Sequence, residues 1–217
     1  MNDALIDDES AGMDPASVQS LYARTLYRMR ESRKALLKGY GVDEEAQLLE
    51  RIRSGEVAEH PAYEHYLGAL IIEQGRMHLR EELLTRFGGA GGRDTASTSL
   101  HLMFEEGIEE KHGARLAEPV RLAHDALLLS FDTGLMMEVR YFSGDEFSVN
   151  WNWGEAALRY DTAPVHPGLA EFPRHVHLDD GRIVPVPAGL HDADPWTAFS
   201  NLVDILLVDP LLEQCTI

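Results

Sequence analysis

Cysteine is almost missing from this chain of 217 residues. The single Cys215 can neither close an intramolecular disulfide nor form a cysteine-rich metal site. Apolar runs are also short, since none reaches the roughly 20 residues that a membrane-spanning helix needs. The first fourteen residues are acidic, whereas a signal peptide would need a basic stretch followed by an apolar run. We therefore expect a globular cytoplasmic protein without membrane contact.

Basic residues are scarce, with 19 Lys and Arg against 37 Asp and Glu and a formal net charge of −18. This balance excludes a protein that coats nucleic acid by bulk electrostatics, because phosphate neutralisation needs clustered cations. One local basic run lies between Arg24 and Lys38. We interpret it as a solvated helix face, or as a face that docks on the acidic second half of the chain.

Hydrophobic spacing divides the chain into four regions. Apolar residues recur every three or four positions in the first half, which predicts three helical segments. A glycine-rich run, GGAGGRDTASTS, separates this half from the second, and it lacks the lysine and the preceding strand that a phosphate-binding loop would show. The predicted organisation is a disordered acidic tail at 1–14, a helical region at 15–88, a glycine-rich linker with a short acidic helix at 89–118, and an α+β domain at 119–217.

The second half changes to the two-residue period of strands. In FSVNWNW, apolar Phe147, Val149 and Trp151 alternate with polar residues, as in a half-buried strand. Similar runs separated by turn residues give about six antiparallel strands, and Asp194-Pro195 begins a final amphipathic helix. The fold class is therefore α+β: about three helices, then an antiparallel sheet packed by a C-terminal helix.

A histidine-rich stretch in this half is the candidate site. In the strand RHVHL, His175 and His177 point to the same face of the sheet. On the preceding strand Arg159 and Asp161 share a face in the same way, and His166 lies in a stiff proline-containing loop between the two strands. Imidazoles beside a cation and a carboxylate suit acid and base chemistry on a phosphodiester or another anion.

Two other interpretations of the H-x-H pair stay open at this point. The histidines could line the wet face of an edge strand, with Arg159 and Asp161 in a surface ion pair that contributes little. They could also be two metal ligands, but a metal needs a third and usually a fourth ligand, and Asp179, Asp180 and His191 are poorly placed for that. In the helical half, His60 and His65 are expected to be helix-start and surface residues.

The segment RYDTAPVHPGLAEFPRHVHLDDG resembles the TumE-like family of toxin components in bacterial toxin–antitoxin systems. The resemblance covers roughly residues 124–209, including the preceding aromatic strand and the final helix. It implies a toxin-like protein that a cognate antitoxin neutralises. Carried over position by position, the functional set is Arg159, Asp161, His166, His175 and His177.

Together these features give three hypotheses for function. The first is a metal-independent ribonuclease in which the histidine pair transfers protons, Arg159 stabilises the phosphate charge and Asp161 orients a histidine, with no cofactor and no bound metal. The second is a non-catalytic binding module whose histidine patch contacts an anion or a partner protein. The third is a metal-dependent enzyme that uses the H-x-H pair. Expected partners are an antitoxin protein and RNA, and a homo-oligomer is left open.

Overall fold

The computed structural model describes residues 14–87, 100–123, 125–186, 190 and 194–213. The predicted tail up to residue 13, the glycine-rich run at 88–99, His191 and Cys215 lie outside this part of the chain. None of the described helices is both long enough and apolar enough to cross a membrane.

The N-terminal half forms three helices. The Asp14 side chain accepts hydrogen bonds from the backbone N–H groups of Ala16 and Ser17, and Pro15 occupies the first helical position, where proline is favoured. The third helix becomes regular only after Pro61, because the backbone of His60 and Pro61 is not helical. The first two helices both pack on the third. Their bounds are α1 Pro15–Lys38, α2 Glu45–Arg53 and α3 Glu59–Phe87.

The second half is an antiparallel sheet with a C-terminal helix, as the sequence predicts, and the short helix that the sequence assigns to the linker also packs on this core. All seven strands pair with their neighbours in chain order, so the sheet is a meander. The strand beyond the six predicted is a two-residue edge strand, too short to show a period in the sequence. The elements are α4 Leu100–His112, β1 Arg121–Leu122, β2 Leu127–Ser130, β3 Met136–Tyr141, β4 Phe147–Trp153, β5 Ala156–Asp161, β6 His175–His177, β7 Ile183–Val184 and α5 Pro195–Leu206.

The main core lies between this sheet and the helices α4 and α5. Phe104 on α4 stacks on Phe199 of α5 with ring centroids 4.7 Å apart, and both side chains are fully buried. Tyr141 of β3 packs edge-on against Phe104 at 4.9 Å. Burial of such large rings is the main source of stability for this half of the molecule.

A second core joins the helical half to the sheet. It consists mostly of residues from the three N-terminal helices, together with Ala163 and the partly buried Phe142 and Val165 from the second half. Tyr63 of α3 is buried here, and its hydroxyl lies 2.9 Å from the Thr162 hydroxyl. Since Thr162 directly follows β5, this contact fixes the start of α3 against the strand that carries Arg159 and Asp161.

We predict that protonation of His101 on α4 destabilises the fold in acid. Its Nε2 accepts the Tyr141 backbone N–H at 2.9 Å, so the buried imidazole is held neutral. Burial, helped by nearby Arg140 and opposed by Asp125, lowers the pKa of His101 to about 4. Neutral His101 therefore contributes about 3 kcal/mol to the free energy of unfolding. This contribution is fully present above the pKa of histidine in the unfolded chain, near 6.5, and is lost as pH falls towards 4.

Urea unfolding of the parent and of His101→Gln between pH 7.5 and 4 tests this effect. Glutamine can still offer an oxygen to the Tyr141 N–H but does not titrate, so the difference between the two proteins isolates the imidazole. The stability of the parent should fall more steeply below pH 6.5 than that of the variant. Parallel pH profiles would contradict the prediction.

Candidate histidine–carboxylate active site

Pairing of β5 with β6 brings four of the predicted site residues together. Arg159 lies opposite His177, and Asp161 lies opposite His175. Because residues two apart on a strand share a face, the two imidazoles converge, with their Nε2 atoms 2.9 Å apart. His175 Nε2 is also 3.4 Å from Asp161 Oδ1.

The loop between these strands adds His166 to the same cluster. Its ring centroid lies 4.7 Å from that of His175 and 5.9 Å from that of His177. Its Nε2 lies 3.0 Å from a carboxylate oxygen of Glu59. The structure thus places all five sequence-predicted residues at one location, and the roles assigned to them remain predictions.

Two further members, Glu59 and His60, come from the start of α3 in the helical half. Glu59 Oε1 lies 2.9 Å from His175 Nε2 and 3.4 Å from His177 Nε2, while its Oε2 contacts His166. His60 Nε2 lies 3.2 Å from His177 Nε2. The assignment of His60 as a helix-start residue is therefore incomplete, because its imidazole is part of the cluster.

Outer contacts fix the orientation of two imidazoles. His60 Nδ1 lies 2.9 Å from a Glu64 carboxylate oxygen, and His175 Nδ1 lies 2.8 Å from the Pro173 carbonyl oxygen. Both partners are acceptors, so each Nδ1 carries the proton. A protonated His60 or His175 then donates its Nε2–H into the cluster, and a neutral ring would present an Nε2 lone pair there.

Asp161 is fully buried beside these rings. Its Oδ1 accepts the Ala163 backbone N–H at 2.8 Å, which holds the carboxylate in place. Its Oδ2 lies 3.5 Å from His60 Nε2 and 3.6 Å from His177 Nε2, but it has no hydrogen-bond partner among the described residues. A buried carboxylate oxygen without a hydrogen bond is costly, so this atom marks a place where a cation would be favoured.

The carboxylates and imidazoles of the cluster also shift one another's pKa. Burial opposes charge on Glu59, but hydrogen bonds from His175, His177 and His60 hold the pKa of its carboxyl far below its usual range. Burial also works against a charged His60, yet the hydrogen bonds to Glu59 and Glu64 raise the pKa of His60 to about 9. Burial raises the pKa of Asp161, against the attraction of His175 and His60. The carboxylates therefore favour positive charge on the imidazole rings.

Some of these groups have the spacing of metal ligands. One set of four consists of Glu59, His166, His175 and His177, and a second set consists of Glu59, His60, Asp161 and His177; within each set the ligand atoms lie within 4.8 Å of one another. Imidazole and carboxylate together suit divalent ions such as zinc, manganese and iron. The arrangement can therefore serve either proton transfer or metal binding.

A polar cavity of about 460 Å³ opens beside the cluster. His177, Arg159, Asn150 and Glu64 are among the residues that line it. Arg159 Nε donates to Asn150 and forms an ion pair with Glu64 at 2.9 Å. A larger depression of about 550 Å³ on α2, which includes Arg51 in its wall, contains no histidine, so we place the chemistry at the cavity beside His177.

Glu59, His60 and Glu64 are the site residues that the sequence analysis missed. They are separated from His177 by more than a hundred residues, and only the packing of α3 on the sheet brings them to it. The sequence offers one local indication of these residues. In the run Glu59-His60-Pro61, two polar side chains precede a proline near the start of a helix. His65, by contrast, bonds to the Tyr40 hydroxyl through its Nδ1, outside the cluster.

Each half of the chain matches a different family model. Residues 102–206 match the family model described as Toxin TumE, which confirms the resemblance of the C-terminal half and supports a toxin-like protein of a toxin–antitoxin system. Residues 13–85 match the model described as Uncharacterized protein MJ0235 family. No curated protein and no solved structure matches the chain. The histidine–carboxylate cluster therefore combines residues from two separate family matches.

Proposed function

We propose that this chain is a toxin-like hydrolase of a toxin–antitoxin system and that RNA is its substrate. The observation that carries the proposal is the convergence of four imidazoles and three carboxylates, from Glu59, Glu64 and Asp161, beside a cavity lined by Arg159. Strongly coupled titratable groups next to a cavity are typical of catalytic sites. The match of the C-terminal half to a toxin family supports the same conclusion.

The exposure of each side chain suggests its role. His175 is fully buried, so we assign it a positioning role through Glu59 in place of direct contact with substrate. His177 borders the cavity and marks where the attacking oxygen would be activated, and Arg159 would stabilise the charge that develops on the phosphate. His166 is the most exposed of the four imidazoles at 28%, which suits proton transfer to the leaving oxygen.

An antitoxin protein and a cytoplasmic location belong to the same proposal. A toxin that degraded RNA in its own cell would need an inhibitor, and the polar cavity beside His177 is the surface that an inhibitor would have to block. Co-expression of the chain with the product of a neighbouring gene would show whether such a protein restores growth.

We predict that His177→Ala abolishes both growth inhibition and RNA cleavage. Loss of this imidazole removes the group at the border of the cavity, so cleavage of total RNA by the purified full-length protein should fall by about 100-fold or more. His78→Ala is the matched control, because His78 is exposed on α3 away from the cluster. Its activity should equal that of the parent.

Two measurements would separate catalysis from binding. Growth inhibition is measured in cells that express each variant. RNA integrity is measured after incubation with each purified protein. If the parent degrades no RNA while His177→Ala remains as toxic as the parent, the hydrolase proposal fails and the non-catalytic binding module is favoured.

A further inference from the structure

We infer that the cluster is a binding site for one divalent transition-metal ion, held by Glu59, His60, Asp161 and His177. The four ligand atoms are Glu59 Oε1, His60 Nε2, Asp161 Oδ2 and His177 Nε2, contributed by α3, β5 and β6. This site does not depend on RNA being the substrate. It replaces the metal-independent histidine pair that the sequence favours.

Five of the six distances between these atoms suit the edges of a tetrahedron. The two imidazole nitrogens lie 3.2 Å apart. The distances from each nitrogen to the carboxylate oxygens range from 3.4 to 3.6 Å. A regular tetrahedron with edges in this range has its centre about 2.0–2.2 Å from each corner, which matches the bond lengths of zinc to histidine nitrogen and carboxylate oxygen.

The polar atoms at this centre also favour a cation. His60 Nδ1 carries its proton towards Glu64, so an ion that displaces the proton on Nε2 meets a lone pair there. Glu59 and Asp161 add oxygen acceptors. The buried Asp161 Oδ2 has no hydrogen-bond partner among the described residues. One divalent ion would satisfy these groups together.

Contacts around the ligands support the same interpretation. Metal-binding histidines usually donate their other ring nitrogen to a carboxylate or a carbonyl oxygen. His60 does so to Glu64. Glu64 also forms the ion pair with Arg159, which couples this ligand to the wall of the cavity. We assign Glu64 as a positioning residue that holds the His60 ring towards the ion.

His175 and His166 are not among the four proposed ligands, although both contact Glu59 and His175 Nε2 lies 2.9 Å from the ligand oxygen Oε1. His175 lies within 3.4 Å of Asp161 Oδ1, the oxygen of that carboxylate that already accepts the Ala163 N–H. His166 contacts Glu59 Oε2, which is not the proposed ligand oxygen. These two imidazoles therefore orient Glu59 and Asp161, and His166 stays free to transfer a proton.

Metal analysis of the full-length protein tests the site without reference to activity. The protein is stripped with a chelator and loaded separately with Zn²⁺, Mn²⁺ and Co²⁺. Bound ions are counted by mass spectrometry, affinities are measured by calorimetry, and the visible absorption of Co²⁺ reports a four-coordinate site. We expect at least one ion per chain for one of these metals.

Three variants make the test specific. His60→Ala removes a ligand and should weaken binding by about 100-fold or more. Glu64→Gln keeps every ligand but weakens the contact that orients His60, so it should weaken binding by about 10- to 100-fold. His78→Ala should bind like the parent. Circular dichroism shows whether each variant folds. If His60→Ala is unfolded, Glu64→Gln still tests the site.

The outcomes separate this inference from the proposed function. A parent that binds none of the three ions, or equal binding by parent and Glu64→Gln, overturns the metal site. A parent that binds no ion but still cleaves RNA overturns the metal site while leaving the hydrolase proposal intact. A bound metal whose affinity falls in the variants supports the site even if no RNA is cleaved, in which case only the proposed substrate is wrong.

Discussion

Replacing Glu59 by glutamine is expected to reduce RNA cleavage by about 100- to 10,000-fold and to abolish growth inhibition. The Glu59 carboxylate contacts all four imidazoles of the cluster, from 2.9 Å at His175 to 3.5 Å at His60. Glutamine keeps the size of the side chain but removes its charge and replaces one acceptor oxygen with a donor. That donor would face the His166 or His177 nitrogen and disturb the arrangement on which both the proton transfers and the proposed metal site depend.

Glu56→Gln is the matched control for this variant. Glu56 lies three residues earlier, is largely exposed and pairs with Arg51 at 3.4 Å. An exposed ion pair contributes little to stability, so this substitution should leave both cleavage and growth inhibition unchanged. Cleavage by Glu59→Gln within tenfold of the parent, measured on purified full-length proteins of equal fold, would show that Glu59 is not part of the active centre.

The sheet could be predicted from the sequence because a strand has a simple local period. The buried apolar residues Phe147, Val149 and Trp151 of β4 stand at alternate positions, as the pattern predicts, although the polar Ser148 between them is buried as well. The rule weakens at the end of the strand, where Trp153 continues the alternation but is 40% exposed. The burial of Trp153 depends on what packs beyond the end of the strand. The alternation of apolar and polar residues within the strand does not report on this packing.

The same local rule explains why half of the candidate site was predictable. Residues at positions i and i+2 share a face, so Arg159, Asp161, His175 and His177 could be placed together once β5 and β6 were recognised as neighbours. No such rule applies to Glu59 and His60. Their position depends on how α3 packs on the sheet, which is decided by tertiary contacts between residues far apart in the chain.

Tyr63→Ala should lower the free energy of unfolding by about 3–5 kcal/mol, because Tyr63 packs α3 against the sheet. Tyr63 is fully buried, its ring stacks on Tyr66 at 5.7 Å, and its hydroxyl lies 2.9 Å from that of Thr162. Truncation leaves a cavity between α3 and the sheet. Urea unfolding monitored by circular dichroism measures the loss.

Two companion variants separate packing from hydrogen bonding at this position. Tyr63→Phe keeps the ring and removes only the hydroxyl, so it should cost about 1 kcal/mol. Tyr27→Ala on α1 truncates a tyrosine that is 60% exposed and should change stability by less than about 0.5 kcal/mol. A loss below 1 kcal/mol for Tyr63→Ala would mean that α3 is held to the sheet by other contacts.

The Tyr63 variants also connect stability to the site. Glu59 and His60 lie four and three residues before Tyr63, so any loosening of α3 moves them away from His177 while β5 and β6 stay paired. Tyr63→Ala should therefore lose cleavage and metal affinity even under conditions where circular dichroism shows it folded, whereas Tyr63→Phe should retain both. Full activity in folded Tyr63→Ala would show that the β5–β6 residues act without the helical half, because they alone would then hold the geometry.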